Sequence, residues 1–338
     1  MPAAVAVGLA GDMGPEPVGV DRLAPDGLAV AFGFVPEPLH EAVATTATQI
    51  RVAQKAVPTP RRPPIAFDSR TTTLRKAPYD ARVTNTRMRH VQAVQADYDT
   101  RSPRWAHVYE GASYHDAVLQ ERLAIALGML GRRDRATSGL ALDVGCGAGQ
   151  LLEALHAEGT PVVGLDVSWQ QVTLSRERVP AAVFVAQADG EQLPLADGTV
   201  ATLTALGLLE YLPSLHDGLE EFARVTMPGA YVVVSMPNPL RLAYLCDPIG
   251  VVLGRLRKTR PGYRRSYRSA RAFAAELQAC GFDVIELRGH GLGRFTLAGR
   301  PILGDAKSVR LSALLQARLP DAASRLFGAN LVAIARRA

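Results

Sequence analysis

From residue 139 onward the chain alternates short apolar runs with stretches of helical periodicity. The runs at 139–144, 161–166, 182–187, 199–205 and 230–236 read as strands, and two more follow at 282–288 and 331–336. Helical patterns separate most of them, an alternation that predicts a parallel sheet covered by helices on both faces. In such sheets ligands sit outside the carboxyl ends of the strands, at the point where strand order reverses. Upstream, residues 81–131 have helical periodicity and carry Tyr98, Trp105, Tyr109 and Tyr114. Residues 1–80 show neither periodicity. They are rich in Ala, Val and Pro, with Pro58-Thr-Pro-Arg-Arg-Pro-Pro64 as the clearest linker, and are expected to be disordered. The alternative is that they are untranslated, with Met88 as the start.

The most informative stretch is Leu140-Ala-Leu-Asp-Val-Gly-Cys-Gly-Ala-Gly-Gln150, followed by the helical Leu151-Leu-Glu-Ala-Leu-His-Ala-Glu158. It predicts a strand, a glycine turn and a helix. Glycine serves where the chain needs positive φ or must let a ligand approach its backbone, and free N–H groups at a helix start face an anionic or polar ligand. The spacing is G-x-G-x-G rather than the dinucleotide G-x-G-x-x-G, which disfavours a nicotinamide-dependent oxidoreductase.

Asp143-Val-Gly-Cys-Gly-Ala-Gly149 resembles motif I of class I S-adenosylmethionine (SAM)-dependent methyltransferases. The resemblance implies that Gly145, Cys146, Gly147 and Gly149 wrap the methionine half of SAM and that Asp143 faces its ammonium group. A second motif, Val162-Val-Gly-Leu-Asp166, ends in a carboxylate with acceptor oxygens for two adjacent ribose hydroxyls. Asp166 can also begin a cap with Ser168, and the two roles are compatible. A third, Ala188-Asp-Gly-Glu-Gln-Leu-Pro-Leu-Ala-Asp-Gly198, is similar to the family's post-strand signature. It implies Asp189 as partner of the adenine amino group, Gly190 N–H facing a ring nitrogen, and Leu193 and Val167 against the base. Leu203-Thr-Ala-Leu-Gly-Leu-Leu-Glu-Tyr-Leu-Pro213 resembles the fourth segment, except that Tyr211 stands where a His is common.

The family fold so implied is α/β and Rossmann-like. Its seven-stranded mixed sheet has order 3-2-1-4-5-7-6, the last two strands pairing antiparallel. The methyltransferase domain is expected over 81–338. Within it lie an N-terminal helical lid at 81–131, an acceptor or membrane insert at 237–268 and a second insert at 290–328. The run of Tyr267, helix, Gly281-Phe282 and Gly289-His-Gly-Leu-Gly293 is similar in layout to ubiquinone-pathway O-methyltransferases.

Transfer to a hydroxyl of a small or lipophilic metabolite is the expected activity, with SAM as cofactor. A hydroxyl acceptor calls for a general base. His290, in a glycine-rich turn past a strand end, is the first candidate, with His216 and Tyr211 behind it. No His/Asp/Glu cluster has metal-ligand spacing, so no metal is expected.

Composition changes the picture in two places. The three cysteines are far apart and form no C-x-x-C pair, which favours a reducing, cytoplasmic setting. The net charge is +6, and residues 255–271 carry eight Arg or Lys with no acid between them, directly after an aliphatic stretch at 239–254. Such a juxtaposition suits a lipophilic acceptor pocket with an anion site, peripheral contact with an anionic membrane surface, or a solvated helical lid. An RNA methyltransferase fits the charge, but the fourth strand ends in Thr204-Ala-Leu-Gly207. It lacks the Asn/Asp-Pro-Pro-Tyr type of amino-group methyltransferases, and no Pro-Cys nucleophile is present. A non-catalytic SAM-binding partner protein is the remaining alternative. The acceptor, the methylated atom and the oligomeric state are not written in the sequence.

Overall fold

The computed structural model describes residues 81–105, 107–132, 139–181, 183–257 and 262–338. The expectations for residues 1–80 lie outside the described residues.

The alternating core is built as its pattern predicts. Strands β1 (Leu140–Val144), β2 (Val162–Asp166), β3 (Phe184–Gln187) and β4 (Val200–Ala205) are parallel neighbours, and β5 (Thr226–Pro237) continues the parallel set beside β4. Every residue of β1 and β2 is buried. This is why their sequences are continuous apolar runs and not alternating ones: helices cover both faces of a parallel sheet. Strands β6 (Phe282–His290) and β9 (Asn330–Arg337) close the sheet antiparallel, giving the order β3-β2-β1-β4-β5-β9-β6. A two-residue ribbon of β7 (Thr296–Leu297) and β8 (Arg300–Pro301) lies apart from the sheet. With that ribbon set aside, the order is the predicted 3-2-1-4-5-7-6.

One strand boundary differs from expectation by more than two residues. β5 starts at Thr226, four residues before the predicted strand, because Thr226 already pairs with Val200 and a register shift absorbs Met227-Pro-Gly229.

Helices α1 (Ala81–Trp105), α2 (Tyr114–Gly131), α3 (Gln150–Ala157), α4 (Trp169–Arg178) and α5 (Leu215–Val225) surround the first five strands. Their starts follow local chemistry. Ser113 caps α2 in a reciprocal capping box with Asp116, and Ser168 and Ser214 cap α4 and α5 by accepting from the N–H groups of Gln171 and Asp217. The aliphatic insert forms two short helices, α6 (Leu242–Cys246) and α7 (Pro248–Arg257). α8 (Ala270–Ala279) precedes β6, and α9 (Asp305–Arg318) and α10 (Asp321–Phe327) fill the second insert.

Asp247, between α6 and α7, ties the two inserts together. Its carboxylate accepts from Gly250 N, Thr296 Oγ1, Ala298 N and Gly299 N at 2.6–3.1 Å.

Candidate active site

A cavity of about 1000 Å³ opens over the carboxyl ends of β1, β2 and β4, where the strand order reverses. Its floor is the turn between β1 and α3. The three glycines there are required for different reasons. All have positive φ, at 72°, 55° and 86° for Gly145, Gly147 and Gly149. A Cβ on Gly149 would lie 2.6 Å from Ser175 Oγ, so that glycine lets the turn pack against α4. A Cβ on Gly145 would press on Leu208 at 3.2 Å. A Cβ on Gly147 would meet only Gln171 Oε1, at 3.9 Å, and would otherwise enter the cavity. Gly147 is therefore the position where a bound molecule can lie against bare backbone.

Two carboxylates stand at this floor. Asp143 is buried at the end of β1 and accepts from Thr204 Oγ1 of β4 at 2.7 Å. Burial raises its pKa to about 7; the hydrogen bond from Thr204 and the charge of Arg122 pull the other way. Asp166 accepts from Gly147 N and Ser168 N, both at 2.9 Å, and burial raises it to about 6. A buried carboxyl held this close to neutral is one that a cationic ligand can re-ionise.

The expected site residues divide in two. Asp143, Gly145, Cys146, Gly147, Asp166, Val167, Gly190 and Tyr211 line the cavity. Gly149, Asp189 and Leu193 do not. Gly149 packs against α4 and Leu193 belongs to the hydrophobic core. Asp189 turns outward to the guanidinium of Arg87, 2.6 Å away on α1, while Ala188 and Gly190 on either side face the cavity.

His290 ends β6, the outer edge strand, with an exposure of 0 %. Its Nδ1 lies 3.5 Å from Glu121 Oε2 of α2, and neither ring nitrogen has a hydrogen-bond partner among the described residues. It is Gly291, one residue further, that reaches the cavity. His216 lies on the surface of α5, with Nε2 3.3 Å from Glu220 and Nδ1 3.4 Å from Cys280 Sγ. Neither histidine lines the cavity.

The side of the cavity away from the glycine turn is aromatic and cationic. Tyr98 packs edge-on against Tyr211 at 5.3 Å and stacks on Trp105 at 5.7 Å. Arg265 lies over Tyr211, 4.8 Å from the ring centroid, and pairs with Glu210 at 3.0 Å. Burial raises the pKa of both Tyr98 and Tyr211, so both phenols stay protonated near neutrality. His115, on the first turn of α2, also lines this side. Burial, and then the charge of Arg104, lower its pKa below the ordinary 6.5, leaving a neutral imidazole.

The sequence reading had not singled out His115, Arg122, Arg241 or Glu210. Each sits in an ordinary helical or loop pattern with no spacing to mark it.

The polar atoms of the wall point to a polar occupant. Arg122 Nε, Gln150 Nε2, both amide atoms of Gln171, Glu210 Oε2 and Arg241 Nε are buried without a hydrogen-bond partner among the described residues, and all five residues line the cavity. Buried polar atoms are nearly always satisfied, so this many around one cavity fit groups supplied by a ligand.

Comparison with known proteins agrees with this architecture. A family model described as a methyltransferase domain matches residues 142–234. The ubiquinone biosynthesis O-methyltransferase of Burkholderia multivorans is 30% identical over 176 residues, covering 47% of this chain and 72% of that protein. The protein of the same name from Burkholderia lata is 28% identical over 192 residues, 52% of this chain and 79% of that one. Among solved structures, magnesium protoporphyrin IX methyltransferase from Synechocystis PCC 6803, with bound SAH, superposes with a TM-score of 0.50. It has 15% identity and covers 74% of this chain and 100% of that one, a likeness of fold. With the motif set, the strand order and the cavity at its switch point, the chain belongs to the class I SAM-dependent methyltransferases and is an enzyme that takes its methyl group from SAM.

Proposed function

We propose that this methyltransferase acts on a hydroxyl of a lipophilic, aromatic acceptor and that His115 removes the hydroxyl proton. The observation that carries the reading is the two-sided cavity, with a glycine turn and two buried carboxyls of raised pKa on one side and tyrosines with a neutral histidine on the other. The naming of the Burkholderia relatives as O-methyltransferases supports the hydroxyl.

The donor side suits SAM group by group. Asp143 offers a buried carboxyl to the ammonium, and Arg122, whose charge already acts on Asp143, offers a guanidinium to the neighbouring carboxylate. Asp166 has lone pairs left for the ribose, and Val167, Ala188 and Gly190 bound the adenine end. Asp189 can serve the adenine amino group only through lone pairs that Arg87 and Glu191 N leave free.

When bound, SAM supplies an activated methyl group on a sulfonium sulfur. The chain's own task is to hold the acceptor in line and take its proton. Alignment of this kind is worth roughly 7–11 kcal/mol. Among the candidate bases, Tyr211 is on the wall but protonated, so it can orient an acceptor but not deprotonate it near pH 7. His290 and His216 do not reach the cavity. His115 lines the wall in its neutral form and can accept a proton.

A second part of the reading concerns where a lipophilic acceptor is met. Leu245 at the end of α6, and Ile249, Val252 and Leu256 along α7, follow one another at spacings of four, three and four residues, exposed by 56, 64, 53 and 78 %. Leu297 and Ile302 are exposed on and beside the ribbon that Asp247 binds to these helices. No helix among the described residues is long and apolar enough to cross a membrane. An apolar helix face over the cavity, followed in sequence by a basic run, suits contact with the surface of an anionic membrane.

The test is turnover with methyl-labelled SAM on a panel of hydroxylated aromatics, with the product's methylated atom assigned by NMR. O-methyl products are expected, with kcat lowered in His115→Gln by about 100-fold or more. Methyl groups on nitrogen or carbon alone would overturn the hydroxyl reading, and an unchanged kcat in His115→Gln would remove the base.

A further inference from the structure

We infer that the acceptor carries an oxyanion, a carboxylate or a phosphate, and that Arg241 binds it. This rests on the aromatic-acceptor reading above and adds a charge to it.

Most of the cavity's arginines are already engaged or face solvent. Arg101 pairs with Asp97 at 2.8 Å, Arg265 with Glu210 at 3.0 Å and Arg294 with Asp305 at 3.1 Å. Arg104 is exposed to solvent. Arg122 stands beside Asp143 on the donor side. Arg241 is different. It is partly buried, and no carboxylate of the described residues makes an ion pair with it. Its Nε is buried without a hydrogen-bond partner among the described residues.

What Arg241 does have is a set position. It is the residue before α6, with φ −51° and ψ 137°, and its Cζ lies 4.0 Å from the ring centroid of Tyr244 and 5.8 Å from that of Tyr267. Arg265 lies 5.9 Å from the same Tyr267 ring. Stacking on a ring holds the flat face of a guanidinium and leaves its edge, where the N–H donors lie, unused. A planar guanidinium edge matches a carboxylate or phosphate through two parallel hydrogen bonds. A partly buried cation with unmade donors costs stability that contact with aromatic faces only partly offsets. The fit is to a ligand that brings both an aromatic ring and an oxyanion: the ring meets the tyrosines and the oxyanion meets the edge of Arg241.

The test is equilibrium titration of the full chain, saturated with S-adenosylhomocysteine, with benzoate, phenyl phosphate and benzyl alcohol. One oxyanion should bind at least roughly tenfold more tightly than the alcohol, and the better of the two identifies the head group. Arg241→Gln should erase that preference and leave the affinity for S-adenosylhomocysteine unchanged. Arg241→Lys should keep part of it, having the charge but not the fork. Equal binding of the alcohol, no binding of either oxyanion, or a preference that survives Arg241→Gln would overturn the inference. So would a parallel loss of S-adenosylhomocysteine affinity, which would assign Arg241 to the donor. Methylation of 3,4-dihydroxybenzoate is followed separately. Oxyanion binding through Arg241 with no methyl transfer to either hydroxyl would uphold this site and count against the hydroxyl reading.

Discussion

Arg87 of α1 grips Asp189 across the top of the fold, Nη2 to Oδ2 at 2.6 Å, and holds Glu191 with its Nε at 2.8 Å. The clasp joins the first helix to the loop that follows β3, next to Gly190 on the cavity wall. It also precedes Met88, so a chain beginning at that methionine would lack it. The Glu191 side chain is almost fully buried and also accepts from Ser214 N at 2.6 Å. Arg87→Ala leaves that carboxylate without its cation, and loss of a hydrogen bond to a charged group costs about 1.5–3 kcal/mol. The expected result is a lower melting temperature and weaker S-adenosylhomocysteine binding, read by calorimetry. Unchanged values of both would reduce the clasp to a surface contact.

The glycine turn predicts two opposite phenotypes. Gly147→Arg places a long side chain in the cavity, where a Cβ meets nothing closer than 3.9 Å. A non-glycine residue at a φ of 55° carries some backbone strain, but with no packing clash its larger effect should be a loss of cofactor affinity by about tenfold or more. Gly149→Ala forces a Cβ to within 2.6 Å of Ser175 Oγ at a φ of 86°, so it should lower the melting temperature first. Thermal melts and titrations on the two variants separate ligand space from packing space. Normal SAM affinity in Gly147→Arg would remove the turn from the donor site.

The buried carboxyls make the stability of the SAM-free protein depend on pH in a direction that can be worked out. Asp143 and Asp166 have folded pKa values of about 7 and about 6, above the unfolded value of about 3.9. Between those values the folded state holds more protons than the unfolded one, so this contribution is present at low pH and is lost as pH rises through 6 to 7. The slope reaches at most about 1.4 kcal/mol per pH unit for each group. Melting temperatures should fall from pH 5 to pH 8 by less in Asp143→Asn than in the wild type. A cation beside Asp143 favours its ionised form, so S-adenosylhomocysteine should stabilise the protein more at pH 8 than at pH 5.5. The opposite order would mean that no ammonium sits there.

How much of this was legible beforehand differs between backbone and side chains. The strands and the glycine turn follow from the apolar runs and from Gly145, Gly147 and Gly149, because strands buried on both faces are continuously apolar. The strand order follows only from the resemblance to class I methyltransferases, and the sheet has that order. The catalytic candidates were harder. His290 follows a strand and precedes glycines, the setting of a site residue, yet β6 is the sheet's outer edge and α2 covers the ring. His115 occupies an ordinary first-turn position of α2, and only the packing of α2 over the cavity brings it to the wall. Asp189 matches a motif in sequence, but Arg87, 102 positions away, decides where its carboxylate points. Contacts of such separation leave no periodic trace.

The exposed face of α6 and α7 gives the last prediction. Ile249→Ser, Val252→Ser and Leu256→Ser together remove apolar surface that is already in solvent, so the fold and S-adenosylhomocysteine affinity should not suffer. If the face rests on lipid, co-sedimentation with phosphatidylglycerol-containing vesicles should fall in the triple variant and, separately, at high salt, because the basic run acts through a screened field. Binding to neutral phosphatidylcholine vesicles should be weak in every case. RNA binding, followed in parallel, shares the salt dependence but not the dependence on three aliphatic side chains. Loss of vesicle binding in the triple variant, with RNA binding unchanged, supports the membrane surface. Vesicle binding that ignores the three substitutions, or that is absent in the wild type, leaves the stripe as the outer face of the lid over the acceptor cavity.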